Sequence, residues 1–313
     1  MGQLRFGMLS FPTAPYDALA RTWRDAEALG FDSAWLADDL NLPGIADFEA
    51  WTILGALAHA TTRLRIGTMV SAITHRHPAF LAAQVIAVDH ISHGRVELGL
   101  GAGESGNNYA SLGLDDWSAA ERRDRLAEQV FILDRLLGGQ PVSYVGQYYR
   151  TLTAEMPMPV QQPRPPIIIA AHGTRGLRLT AQYADGWNSM GGQPFPEARY
   201  GKSVTLAEAV AATRQRSELL DAYCSEMGRD PAAIRRSIVV YRPRPPDPLS
   251  SLDAFDEYVG RYAEIGINEF IFYWPPLLNF LEKRPIEAAQ QAFLEQIARE
   301  RFPRLQGHSK SSG

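Results

Sequence analysis

Apolar residues in this chain come in short runs separated by amphipathic stretches. The runs lie at 5–10 (RFGMLS), 33–36 (SAWL), 64–70 (LRIGTMV), 95–100 (RVELGL), 167–171 (IIIAA), 186–190 (GWNSM), 237–241 (SIVVY) and 269–273 (EFIFY). Nearly continuous apolar runs of this length are what parallel strands buried on both faces look like. The stretches between them carry helical periodicity over 16–29, 48–60, from Pro78 onward, 119–137, from just past Gly173 to Tyr183, 205–227, 253–265 and 286–301. Gly30 is placed to close the first helix. Pro78 suits the first turn of the third. Thr205 and Glu208 have capping-box spacing at the start of the long sixth. Residues 142–166 break the rhythm, being aromatic and then proline-rich. Alternation resumes at once, so this segment reads as a hairpin-like excursion and not as a linker. Residues 1–305 are expected to form one domain, and 306–313 a polar, disordered tail.

Strands alternating with helices imply parallel βα units. Two closures compete, an open doubly wound sheet and a closed barrel. Eight units in 313 residues favour an α/β fold of the (β/α)8 TIM-barrel type, with an insertion after strand four. The first strand runs into SFPTAPY, with none of the glycines a dinucleotide-binding turn needs. In a barrel the active site lies at the C-terminal strand ends, which directs attention to 10–15, 37–42, 69–77, 101–108, 171–175, 189–193, 241–246 and 273–277.

Composition narrows the function classes. Cys224 is the only cysteine, which excludes a disulfide scaffold and a multi-cysteine metal site and suits a reducing cytoplasm. Lys+Arg 31 against Asp+Glu 35 gives a formal charge of -4, without the basic excess that nucleic acid or an anionic membrane would require. No apolar run approaches the ~18 residues of a spanning helix. The N-terminal MGQLRFGMLSF lacks the basic-then-apolar pattern of a secretory signal. A cytoplasmic location is expected.

The strand ends carry the candidate chemistry. Strand two ends in Asp38 and Asp39. Adjacent carboxylates repel, so one could have a raised pKa suited to acid–base work; alternatively, Asp39 caps a turn or pairs with a nearby arginine. Strand three leads into His75, Arg76 and His77. These are either metal ligands lacking an evident third partner or loop histidines, with His77 set by Pro78. Strand four ends in GLGAGESGNN. There the glycines let backbone approach a flat ligand or relieve crowding, while Glu104 and Asn107 offer polar contacts. Strands five and six end in small residues whose N–H groups, with the helix N-terminus after Gly173 and the charge of Arg175, suit a phosphate; a tight turn would need the same glycine.

The segments LRIGTMVSAITHRHPAFLAAQVIAVDHISHGRVELGLGAG, FDSAWLADD, PMPVQQPRPPIIIA and LRLTAQYADGWN resemble the luciferase-like monooxygenase superfamily, over about residues 4–195. Its members include bacterial luciferase, alkanesulfonate monooxygenase and reductases and dehydrogenases that use the deazaflavin coenzyme F-420. The resemblance implies an oxidoreductase barrel binding F-420, or alternatively FMN, at its C-terminal mouth, with a small-molecule substrate and a homodimer formed through early barrel helices. It places a cis peptide at Met69-Val70, beside Ser71, behind the cofactor ring. It assigns Asp38, Gly103, Glu104 and Asn107 to the ring. The phosphate falls to Ala171, His172 and Gly173 together with Ser189, Met190, Gly191 and Gly192. Asp39 stands where the F-420 branch has a histidine; it and Glu104 are the candidate catalytic groups for proton handling. F-420 implies hydride transfer, whereas reduced FMN with oxygen implies monooxygenation. A flavin-binding barrel without catalysis is a further reading. A Schiff-base lyase is disfavoured, since Lys202, Lys283 and Lys310 are the chain's only lysines and none lies on a strand end.

Overall fold

The computed structural model describes residues 3–39, 47–103, 109–192, 204–240, 247–276 and 285–307. Its strands are β1 (Arg5–Ser10), β2 (Ser33–Asp38), β3 (Arg65–Ala72), β4 (Val96–Gly101), β5 (Val142–Val145), β6 (Arg150–Ala154), β7 (Ile167–Ala170), β8 (Gly186–Ser189), β9 (Arg235–Val240) and β10 (Glu269–Tyr273). The helices are α1 (Tyr16–Ala28), α2 (Ala50–Ala60), α3 (Pro78–Ile91), α4 (Ala119–Leu137), α5 (Thr174–Tyr183), α6 (Leu206–Glu226), α7 (Leu252–Ala263) and α8 (Ala288–Glu300), followed by the short turn Phe302–Leu305. Eight strands close in the order β1-β10-β9-β8-β7-β4-β3-β2, all parallel. The expected TIM barrel is therefore the observed fold, and β7 follows β4 directly around its wall.

The excursion after α4 is a β5–β6 antiparallel hairpin outside the barrel. Glu128 of α4 holds its turn by accepting from the backbone N–H groups of Gln147, Tyr148 and Tyr149 at 2.8–3.1 Å. The proline-rich return is fixed as firmly. Buried Asp89 accepts from the N–H of Val160 (2.7 Å) and of Gln161 (3.0 Å). Arg164 bridges Asp134 and Asp185.

Strand alternation sorts the apolar residues into two shells. Phe6, Leu36, Ile66, Leu98, Ile169, Ile238 and Phe270 face outward onto helix residues such as Trp23, Leu54, Val85, Leu133, Leu177 and Phe255. Leu9, Trp35, Met69, Ile168, Val239 and Ile271 face inward and fill the lumen. Trp35 reaches across it, and Gly67 makes the space: a Cβ there would lie 2.8 Å from Cζ3 of the indole. Gln306, expected in the disordered tail, is held by the barrel. Gln306 is buried, and its amide donates to the Gly30 carbonyl (2.9 Å) and Asp32 Oδ2 (2.8 Å), so it closes the N-terminal end of the barrel. Residues 308–313 lie outside the described residues.

That N-terminal end of the lumen is plugged by charge. Glu97 pairs with Arg235 and with Arg65 (2.9 Å), and Arg235 Nε also meets Glu269 at 2.9 Å. Ser33 donates to Glu269 and accepts from the Trp35 indole N–H. Burial alone would raise the Glu97 pKa. Arg235, then Arg65 and Arg5, outweigh it and bring the carboxyl down from 4.5 to about 2. A lowered folded pKa contributes stability above the unfolded value and loses it as pH falls toward the folded one. Wild-type stability should accordingly decline between pH 4.5 and about 2. Glu97→Gln should cost about 3 kcal/mol at neutral pH, because Arg235 keeps Glu269 but loses its closest partner. Urea titrations across this pH range check both, and a variant with wild-type stability and an unchanged acid limb would contradict them.

Candidate active site

The barrel mouth is shaped by an irregularity in β3. The peptide between Met69 and Val70 is cis, where the resemblance places it. The register slips at this point against both neighbours, between Leu36 and Asp38 on β2 and between Thr68 and Ser71 on β4's side. Met69 packs into the lumen cluster with Val70 at its edge. Ser71 is buried behind them. Its hydroxyl accepts from the Trp51 indole N–H at 2.8 Å and shares a 2.8 Å hydrogen bond with Thr68. This side chain ties the bulge to α2, leaving only the Ser71 backbone for the mouth.

Asp38 and Asp39 separate in role. Strand alternation puts Asp38 on the outer face with Ala34 and Leu36, opposite the lumen-facing Trp35 and Ala37. Asp38 is buried and takes both guanidinium nitrogens of Arg76, Nη2 to Oδ1 at 3.1 Å and Nη1 to Oδ2. Arg76 also donates to Glu49 at 2.8 Å, and its carbonyl accepts from Gln129. His75 Nδ1 stands 3.6 Å from Asp38 Oδ1, beyond hydrogen-bond length. Burial by itself would raise the Asp38 pKa; His75 and Arg76 override it and set the carboxyl at about 2. The raised pKa considered for this pair is therefore not found at Asp38, which stays ionised at neutral pH. An arginine, considered above as a partner of Asp39, is found on its neighbour Asp38. Asp39 follows the end of β2 and is half-buried.

The histidines part in the same way. The His77 ring caps α3 by accepting from the Ala79 N–H, and Pro78 opens the helix. His75 lies edge-on to Tyr109. No group of three potential metal ligands occurs among the described residues. Gly103 turns out of β4 with φ +68, while Glu104 and Asn107 lie outside the described residues.

The two glycine loops meet because β7 and β8 pair, Ala170 beside Asn188. Ala171 N–H donates to the Asn188 carbonyl, and the Ala171 carbonyl accepts from the Trp187 indole. Gly173 is the N-cap of α5 and supplies no side-chain cap, so the first N–H groups of that helix face outward from an open end. In the second loop the Ser189 hydroxyl is buried without a hydrogen-bond partner among the described residues. Met190 borders the lumen cluster. Gly191 and Gly192 both have positive φ, and a Cβ on Gly192 would collide with the Ala209 carbonyl of α6. The Tyr262 hydroxyl donates to the Gly191 carbonyl at 2.7 Å. Burial, reinforced by the Arg216 cation, pushes His172 down to about 4, so its ring is neutral at physiological pH. Arg175, suggested by sequence as an anion partner, instead points to the surface and pairs with Asp124 at 2.9 Å. An orphaned hydroxyl, an uncapped helix start and a turn that admits only glycine together fit a ligand phosphate.

The chain belongs to the luciferase-like monooxygenase family. The family model matches residues 4–238. An F-420-dependent hydroxymycolic acid dehydrogenase from Mycobacterium tuberculosis is 31% identical over 223 residues, covering 70% of this chain and 56% of that protein. An F-420-dependent glucose-6-phosphate dehydrogenase from Beutenbergia cavernae is 30% identical, with 95% of each chain covered. Among solved structures, a coenzyme F-420-dependent tetrahydromethanopterin reductase from Methanopyrus kandleri superposes with a TM-score of 0.75 at 16% identity, covering 97% of this chain and 100% of that one. At that identity the superposition speaks for the fold.

Sequence spacing did not reveal Arg76 as the partner of Asp38, nor Arg216 and Tyr262 as neighbours of the glycine loops. No periodic signal links residues so far apart. Asp38→Asn should leave Arg76 buried with Glu49 as its only anion among the described residues, costing about 3–5 kcal/mol. Adding Arg76→Met should return much of that loss, since the stranded charge is then gone. Urea unfolding of the two single variants and the double variant checks this, and strictly additive losses would show that the pair is not coupled.

Proposed function

We propose that this protein is an F-420-dependent oxidoreductase that moves hydride between the deazaflavin and a small organic substrate. The observation that carries the reading is identity to an F-420-dependent dehydrogenase along 95% of both chains, joined to a mouth whose two loops suit a phosphate. The deazaflavin, when bound, supplies a two-electron hydride donor or acceptor that reacts poorly with oxygen. The protein's part is to bind, orient and exclude water. The Met69-Val70 bulge backs the ring. Ala171, His172 and Gly173, with Ser189, Met190, Gly191 and Gly192, hold the phosphate. Gly103, Glu104 and Asn107 border the ring, and Asp38 keeps Arg76 and the end of β2 in place beside it.

Asp39 and Glu104 handle the proton that accompanies hydride transfer. Asp39 follows β2, where the F-420 branch of the family carries a histidine. Residues 1–305 act as one barrel domain. The protein works in the cytoplasm, in keeping with its single cysteine and with the lack, among the described residues, of a helix long and apolar enough to cross a membrane. Two copies associate through the early helices, where Phe80 is 64% and Ile91 43% exposed on α3.

Absorbance titration with F-420 and separately with FMN tests the cofactor. F-420 should bind, and single-turnover oxidation of its reduced form by substrate should be independent of oxygen. Product formed only with reduced FMN and oxygen would make the protein a monooxygenase. Asp39→Asn and Glu104→Gln remove charge and keep shape. Whichever group is the general acid or base should lose about 10²–10⁴-fold in turnover while still binding cofactor. Weaker binding with normal turnover at saturation would assign that residue to the cofactor.

A further inference from the structure

One cation near the mouth has no assigned task. Arg216 lies on α6, whose Ala209 carbonyl packs against Gly192. Residues 209, 213 and 216 fall on one face of that helix by its three-to-four spacing. Tyr262, which bonds the Gly191 carbonyl, is within electrostatic and hydrogen-bonding reach of the same face, through Arg216 and Thr213. On the other side, Arg216 acts on His172 of the first glycine loop. Arg216 thus stands on the helix face that abuts the second glycine loop.

Its chemistry there is incomplete. Nη1 of Arg216 is buried and has no hydrogen-bond partner among the described residues. Among the described residues, the two groups that act on it carry no compensating charge at neutral pH: burial holds the Tyr262 hydroxyl up at about 12, and His172 down at about 4 keeps a neutral ring. The side chain as a whole is half-buried, and a donor held away from water without a partner is costly. A guanidinium beside an uncapped helix start and an orphaned Ser189 hydroxyl matches the donor set that recognises a phosphate oxyanion.

We propose that Arg216 is the cationic anchor of the cofactor phosphate, reaching from α6 to complete a site otherwise made of backbone N–H groups and Ser189. This rests on the reading that the glycine loops bind the cofactor's phosphate. Arg216 thereby makes the site selective for the phosphorylated cofactor over its phosphate-free chromophore, and α6 becomes part of the binding apparatus.

The test uses the full-length protein and three ligands: the phosphate-free deazaflavin chromophore, the form ending in phospholactate without glutamates, and complete F-420. Dissociation constants come from fluorescence titration without turnover. Wild type should bind the two phosphorylated forms more tightly than the chromophore. Arg216→Gln should weaken both phosphorylated forms by about tenfold or more and leave chromophore binding unchanged, and Arg216→Lys should recover part of the loss. Three results overturn the proposal: equal weakening of all three ligands, which marks a structural role; no weakening; or a loss seen only when the glutamates are present, which moves the contact to the tail. A wild type that shows no preference for phosphate would instead remove the phosphate reading of the glycine loops themselves.

Discussion

The mouth of this barrel is organised around one buried charge pair. Asp38, at the last position of β2, and Arg76, in the loop after β3, bind each other where water cannot compete. Arg76 passes the constraint on. It holds Glu49, the residue that caps the start of α2, and through its carbonyl it receives Gln129 of α4. Two strand ends, a loop and two helices are thereby fixed to one another. A buried pair of this kind adds little net stability against an apolar replacement, but it tolerates only one arrangement of its partners. That suits a place where β3 departs from regular pairing and must do so reproducibly.

The two ends of the lumen divide the work. At the N-terminal end, Glu97, Arg235, Glu269, Arg65 and Ser33 satisfy one another around the base of Trp35. These charges pair with one another, as expected of the face of a barrel that serves stability. At the C-terminal end, the polar groups are less completely matched. The Ser189 hydroxyl and Arg216 Nη1 lack partners among the described residues, and α5 begins without a side-chain cap. Unmet hydrogen-bonding capacity beside the glycine loops is capacity that a bound ligand can satisfy.

The barrel was legible in the sequence because closure depends on local patterns repeated many times. Short apolar runs, helical periodicity, Gly30, Pro78 and the Thr205–Glu208 box each act within a few residues, and all agree. The excursion at 142–166 and the glycines after the strands were legible for the same reason. Family resemblance located the Met69-Val70 peptide, which no propensity rule would single out.

What the sequence could not express is which distant charges meet. Asp38 read as one half of a repelling carboxylate pair, because its nearest neighbour in the chain is Asp39. In space its nearest neighbour is Arg76, and the cation reverses the expected direction of its pKa. Arg175 read as an anion partner from its position at a helix start, yet it turns to Asp124, while Arg216, far along the chain, lies near the loops. Strand alternation is local and so fixes which side of β2 Asp38 faces. Electrostatic partnership acts through space over a few ångströms, and only barrel closure decides which side chains come within that distance.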